Sequence, residues 1–182
     1  MNIVTRRVNI RLQGKNINVV YGCLNPDTII SFQKLVQWLK ENSRDETLLI
    51  LTNGCCKIPA WEVIKTALLY SLNGYFSGKM ISRTLVHEVL LYLVGDRNIK
   101  DVRNFFESGD CKSIGYIGLS IDDKGKISAL LDGFKVKFGL KEVELDEKCW
   151  IPEYSAYLRV PAEKEILVKT IRARSALLKL SV

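Results

Sequence analysis

The chain has 182 residues, 47% of them hydrophobic, and carries 27 Lys and Arg against 20 Asp and Glu, for a formal net charge of +7. That length and apolar content suit one sizeable core in a single globular domain, while the longest apolar run, Val89 to Val94, is far too short to cross a bilayer. The N-terminal MNIVTRRVNIRL has no long apolar stretch after its charges and the five cysteines have no scaffold spacing, so a soluble, cytoplasmic protein with reduced thiols and no membrane partner is expected.

Val8, Ile10 and Leu12 alternate with Arg7, Asn9 and Arg11, and Ile17, Val19 and Tyr21 alternate again after Gly14, Lys15 and Asn16, which predicts a β-hairpin. The arginines of its first strand either guard a sheet edge or belong to an anion-binding surface. Asn25 and Pro26 predict the start of a helix with the stripe Ile29, Phe32, Val36 and Leu39, off which Trp38 lies. Leu48 to Leu51 reads as a central strand, followed by a loop over Asn53, Gly54, Cys55 and Cys56. Pro59 opens a helix with Trp61, Ile64, Leu68 and Leu72 inward and Tyr75 as a further candidate, ending about Asn73, Gly74 and Gly78.

Residues 77 to 106, SGKMISRTLVHEVLLYLVGDRNIKDVRNFF, are the centre of the chain. Ser82 is placed to cap a helix that is apolar almost throughout from Leu85 to Val94, and Gly95 is placed to end it. Asn98 and Asp101 then cap a second helix with the stripe Ile99, Val102, Phe105 and Phe106. Beyond it, Ile114 to Ile121 predicts a strand in which Gly115 and Gly118 mark a close approach or a bulge. Ile127, Leu130, Leu131, Phe134 and Phe138 predict a helix stopped by Gly139. Residues 141–160, with Cys149, Trp150, Pro152, Tyr154 and Tyr157, show no clear period and are expected to form an acidic connector; Pro161 begins a last helix with Leu167, Ile171, Leu177 and Leu178 on one side. The order of elements is that of an α+β domain, a small mixed or antiparallel sheet packed with several helices, divided into a core at 1–140, the connector at 141–160 and a terminal helix at 161–182.

Catalytic patterns fail one by one. His87 and Glu88 lack the second histidine of a zinc hydrolase, since position 91 is Leu91 and there is no other histidine. Cys55 and Cys56 are adjacent rather than spaced as a redox or zinc pair, and Gly115 and Gly118 are not followed by a glycine opening a helix. Asp122 with Asp123, and Glu163 with Glu165, fall at helix starts, where the helix dipole favours acids. No catalytic residue, metal, cofactor or small-molecule substrate is therefore expected.

The charge is segregated. Residues 1–16 carry Arg6, Arg7, Arg11 and Lys15 without an acid, and residues 166–182 carry Lys169, Arg172, Arg174 and Lys179 without one, whereas 141–165 hold seven acids against four bases. Such a distribution suits either an anionic partner, nucleic acid before membrane, or a solvated surface. A basic set brackets the apolar central helix: Lys79 and Arg83 before it, Arg97 after it, then Lys100 and Arg103, with Ser82 and Asn98 at the same two joints. Its ends lie roughly 18 Å apart over about twelve residues, a span that a short single strand could bridge with phosphates on Lys and Arg. Tyr75 and Phe76 are nearby as stacking candidates.

RTLVHEVLLYLVG followed by Asp96, Arg97, Asn98 and Ile99 and a basic amphipathic helix resembles the kinase-binding subunit of the KEOPS complex, the PRPK-binding-protein family, from about Leu48 to Leu140 and again in the last helix. Asn98, one methylene shorter, stands where that family commonly carries Gln. KEOPS transfers a threonylcarbamoyl group to a tRNA adenosine beside the anticodon. The resemblance implies a non-catalytic subunit that captures the single-stranded CCA end of tRNA and docks on the small kinase-like ATPase subunit. It also implies docking through the C-terminal helix, for which Leu167, Ile171, Arg174 and Leu178 are the candidates; an ordinary core helix is the alternative. Two other readings remain at this point: a stand-alone RNA-binding module, and an enzyme using Cys55 or Cys56 with His87.

Overall fold

The structure, a computed structural model, describes residues 5–43 and 46–181, so the outermost parts of the expected end segments, residues 1–4 and Val182, lie outside it. In chain order the elements are β1 (Arg6–Leu12), β2 (Lys15–Pro26), β3 (Ile30–Ser31), α1 (Phe32–Asn42), β4 (Thr47–Asn53), a 3-10 turn (Cys55–Lys57), α2 (Trp61–Ser77), α3 (Leu85–Val94), α4 (Ile99–Glu107), β5 (Asp110–Cys111), β6 (Ile114–Ile121), α5 (Lys124–Phe138), β7 (Leu140–Val143), α6 (Trp150–Leu158) and α7 (Lys164–Leu180). Helices and strands are interspersed along the chain, but among the described residues every strand pair is antiparallel and no βαβ crossover forms, which is the expected α+β class. Two compact units result, Met1–Ile58 with Glu107–Asp146, and Pro59–Phe106 with Glu147–Val182. Among the described residues no helix is long and apolar enough to cross a membrane.

The first unit is built on β2. The hairpin forms as its alternation predicts, with Val8 opposite Val19 and Ile10 opposite Ile17, and β2 then continues past it to pair with β7. The path of pairing is β1-β2-β6-β4, all antiparallel, so β6 and β2 are central and β4, expected in mid-sheet, ends the row. Its apolar run reflects burial of its two faces rather than pairing on both edges. On one face Val20, Leu49, Leu51, Ile114 and Tyr116 pack with Phe32, Leu35 and Leu39 of α1 and Ile127, Leu131 and Phe134 of α5. Gly118 makes that packing possible, because a Cβ there would stand 2.7 Å from Ile127 Cδ1 and 2.8 Å from Val20 Cγ2.

Two further local expectations are corrected in this unit. Asn25 and Pro26 do not open a helix: they extend β2, whose partner β7 supplies the hydrogen bonds, and α1 begins only at Phe32 with Ile29 left 64% exposed. Trp38, off the predicted stripe, packs instead on Phe134 and Phe138 of α5. The expectation of reduced thiols fails at Cys23 and Cys55, which form a disulfide with Cα atoms 5.3 Å apart, while Cys111 is a buried free thiol. Closing a loop of this length contributes about 4 kcal/mol by the loop-closure relation, at the upper end of the usual range for native bridges.

The second unit is helical. α3 is buried along nearly its whole length, with α2 and α7 against it, and α6 packs on α7. Each fully buried leucine of α3 contributes roughly 1.5–3 kcal/mol relative to exposure. Residues 141–160 are not an irregular connector: they hold β7 and α6, and α6 buries Trp150, Tyr154 and Leu158 in this unit. Their period was invisible because three apolar side chains spaced by four along a nine-residue helix, interrupted by Pro152, make a short signal. Pro161 precedes the terminal helix, which begins at Lys164 and runs 17 residues, about 26 Å.

Candidate nucleic-acid interface

The basic set falls within the second unit, on the two joints of α3. At the first joint, α2 runs through Asn73 and Gly74 to close on Gly78, which is left-handed at φ 67. The Lys79 N–H donates to Gly74 O at 2.8 Å, so the chain folds back over the last turn of α2 and Lys79 emerges exposed. Gly74 is required there, since a Cβ would stand 2.9 Å from Lys79 O. Tyr75, expected inward, is turned out by the same register and is 38% exposed.

Thr84, not Ser82, caps α3: its hydroxyl accepts the His87 N–H at 3.3 Å in extended backbone geometry. Ser82 instead donates its hydroxyl to Thr84 O at 2.7 Å. Arg83 between them is exposed. The loop is anchored from inside by Glu88, fully buried, whose two carboxylate oxygens accept the Ile81 N–H at 3.0 Å and the Ser82 N–H at 2.7 Å. One turn on, burial first and the Glu88 carboxylate second push the Tyr92 phenol up to about 12.

At the second joint Gly95 is left-handed at φ 66 and takes the Leu91 carbonyl with its N–H at 2.9 Å. A Cβ there would overlap Arg174 Cβ and stand 3.2 Å from the Ile171 carbonyl, so this glycine both ends α3 and lets α7 pass close by. Gly95→Ala is expected to cost roughly 2–5 kcal/mol, the sum of a left-handed alanine and an overpacked contact, and to lower the Tm by about 4 °C or more. Gly133→Ala in α5, whose Cβ would meet only Trp38 at 3.8 Å, is the matched control and should be neutral or stabilising by up to about 1 kcal/mol in the same thermal melt.

Asn98 caps α4 as expected. Its Oδ1 accepts the Lys100 N–H at 3.2 Å, its Nδ2 donates to Asp101 Oδ2 at 2.6 Å, and its own N–H donates to Asp96 Oδ1 at 2.9 Å. Its side chain is thus spent on the joint. Arg97, Lys100 and Arg103 stand exposed around it, and among the described residues Lys79, Arg83, Arg97 and Lys100 make no ion pair. The ten residues of α3 separate the two groups of cations by about 15 Å along the helix axis.

No protein-family model and no curated protein matches the chain.

A groove of about 480 Å³ lies beside the second joint, lined by Asp96, Asp101 and Phe105 on one side and Ala156, Tyr157 and Arg159 on the other. The Tyr157 hydroxyl donates to Asp96 Oδ2 at 2.9 Å, and burial, then that bond, hold the phenol far above its usual range. Sequence reading missed this groove because Tyr157 sits in the segment taken as irregular. Its two carboxylates outnumber the single cation Arg159, so the groove disfavours phosphate and the cations outside it are the anion-binding candidates. Among the described residues no three His, Cys, Asp or Glu side chains converge as metal ligands.

The assignment of kinase docking to Leu167, Ile171, Arg174 and Leu178 is corrected. The three apolar side chains are buried inside their own unit, where α7 packs on α2, α3 and α6. Arg174 is half-buried, with Cβ against Gly95 and Nη2 donating to Leu158 O at 3.5 Å. Apolar periodicity locates the stripe a helix buries but not the surface it is buried against. The outer stripe of α7 is Lys169, Ala173, Leu177 and Leu180, in which Leu177 is 67% and Leu180 83% exposed.

Proposed function

We propose that this chain is a non-catalytic, cytoplasmic subunit of the KEOPS complex that binds the single-stranded CCA end of tRNA and docks on the complex's small kinase-like ATPase. The observation that carries the RNA-binding half is the set of four exposed cations without ion pairs, Lys79, Arg83, Arg97 and Lys100, held at the two capped ends of one buried helix. Rigid caps fix where the cations emerge, so little ordering cost accompanies phosphate contact. Arg103 extends the set along α4. The kinase-binding half rests on the resemblance of the central helix and its joint, and the outer stripe of α7, with Leu177 and Leu180 unburied, is the docking surface that burial leaves available. The Cys23–Cys55 disulfide narrows a cytoplasmic location to hosts whose cytosol retains disulfides, as in hyperthermophiles.

The test is a binding titration of the full chain with tRNA carrying or lacking its CCA end, alongside co-purification with the kinase-like subunit. Intact tRNA should bind at least tenfold more tightly than the shortened form, as the loss of two or three stacked or phosphate-bound nucleotides requires. Equal affinity for the two would defeat the CCA assignment; tRNA binding without kinase association would favour a stand-alone RNA-binding module.

A further inference from the structure

We propose that Glu88 is a positioning residue for nucleic-acid binding: its buried carboxylate fixes the loop that presents Lys79 and Arg83, an inference that rests on reading those cations as phosphate contacts. Glu88 is an anomaly in its own helix. It is fully buried on α3, between Leu85 and the run from Val89 to Val94, where an apolar residue would satisfy the core without desolvating a charge. Among the described residues it makes no ion pair, and its two oxygens accept the N–H groups of Ile81 and Ser82, one on each.

That arrangement needs a side chain with two acceptor atoms at this reach. Gln offers one acceptor and would turn an NH2 toward the second N–H, and Asp is one methylene short. The carboxylate also sits where the loop is tightest, since an added Cβ on Gly74 would stand 2.9 Å from Lys79 O and 3.6 Å from Glu88 Oε1. The segment from Gly78 to Thr84 is therefore pinned at three places: the Lys79 N–H on Gly74 O, the Ile81 and Ser82 N–H groups on Glu88, and the Ser82 hydroxyl on Thr84 O. Lys79 and Arg83 leave the fold just before and just after the Glu88 anchor. A burial cost accepted in the core is returned as preorganisation of two cations at the surface.

The experiment compares the full wild-type chain with Glu88→Gln and Glu88→Leu, using a tRNA transcript with its CCA end as the probe. Leu suits the apolar interior and keeps α3 packed, so it remains informative where Gln does not fold. Binding is measured across a salt series, and each variant is repeated with Lys79 and Arg83 both changed to Ala. Loss of the anchor should weaken binding about tenfold and lower the slope of log K against log salt by about 0.7 to 1.4, one to two single-strand phosphate contacts. Because the anchor acts through Lys79 and Arg83, removing them as well should add little further loss. Amide exchange should quicken at 79–84 while the amides of α3 stay protected. A folded variant that binds with wild-type affinity and slope, or losses that simply add to those of the double alanine variant, would overturn the inference and leave the RNA-binding reading standing. A wild-type chain that does not bind the transcript would overturn that reading and this inference together.

Discussion

Changing Arg83 and Arg97 together to Glu is expected to weaken tRNA binding about 100-fold while leaving the fold unchanged. The two side chains sit at opposite joints of α3, exposed and without ion pairs among the described residues, so each is free to give a charge-assisted hydrogen bond to phosphate. Two such bonds at about 1.5 kcal/mol each convert to roughly two decades in affinity, and the introduced carboxylates add repulsion. The salt slope should fall by about 1.4, from about 0.7 per single-strand contact. Surface substitutions of this kind move stability by about 0.5 kcal/mol or less, so circular dichroism and thermal melting should match the wild type. A well-folded double variant with unchanged affinity would remove the site from α3.

The second large effect separates two roles of the terminal helix. Truncation after Thr170 removes Ile171, Ser175 and Leu178, all buried, and the Ser175 hydroxyl that donates to Tyr92 O at 2.8 Å. Each lost aliphatic side chain costs about 2–5 kcal/mol, against a total stability of about 5–15 kcal/mol for a domain. The truncated chain should therefore lose the cooperative melt of its helical unit, with tRNA and kinase binding failing together. Leu177→Arg with Leu180→Arg changes only the outer stripe. It should leave the melt and tRNA affinity intact and weaken kinase association more than 100-fold, since a charge forced into a desolvated contact without a partner costs about 3 kcal/mol or more. A truncated chain that melts as the wild type does would show that α7 is not core; kinase association unaffected by the two arginines would move the docking surface off this stripe.

Several features were legible in the residues alone because they depend on local chemistry. The hairpin follows from alternation, the buried α3 from an apolar run no exposed helix could carry, and Gly78, Gly95 and Gly139 from the left-handed turn that closes a helix. The α+β class follows from the order of those elements. Tertiary structure decided everything that depends on which surface meets which. Pro26 looks like a helix start until β7 pairs with it, and Cys23 and Cys55 read as reduced thiols until β2 and the 3-10 turn bring their Cα atoms to 5.3 Å. α7 looks amphipathic in either role until its inner stripe is found against α2, α3 and α6. Glu88 is the sharpest case. One carboxylate inside an apolar helix stands out in the sequence, but what it holds lies seven and six residues upstream, and only the fold over Gly74 brings those N–H groups to its two oxygens. A sequence carries periodicity along one element; the partner across a contact is set by how elements pack, and that is where the site acquires its geometry.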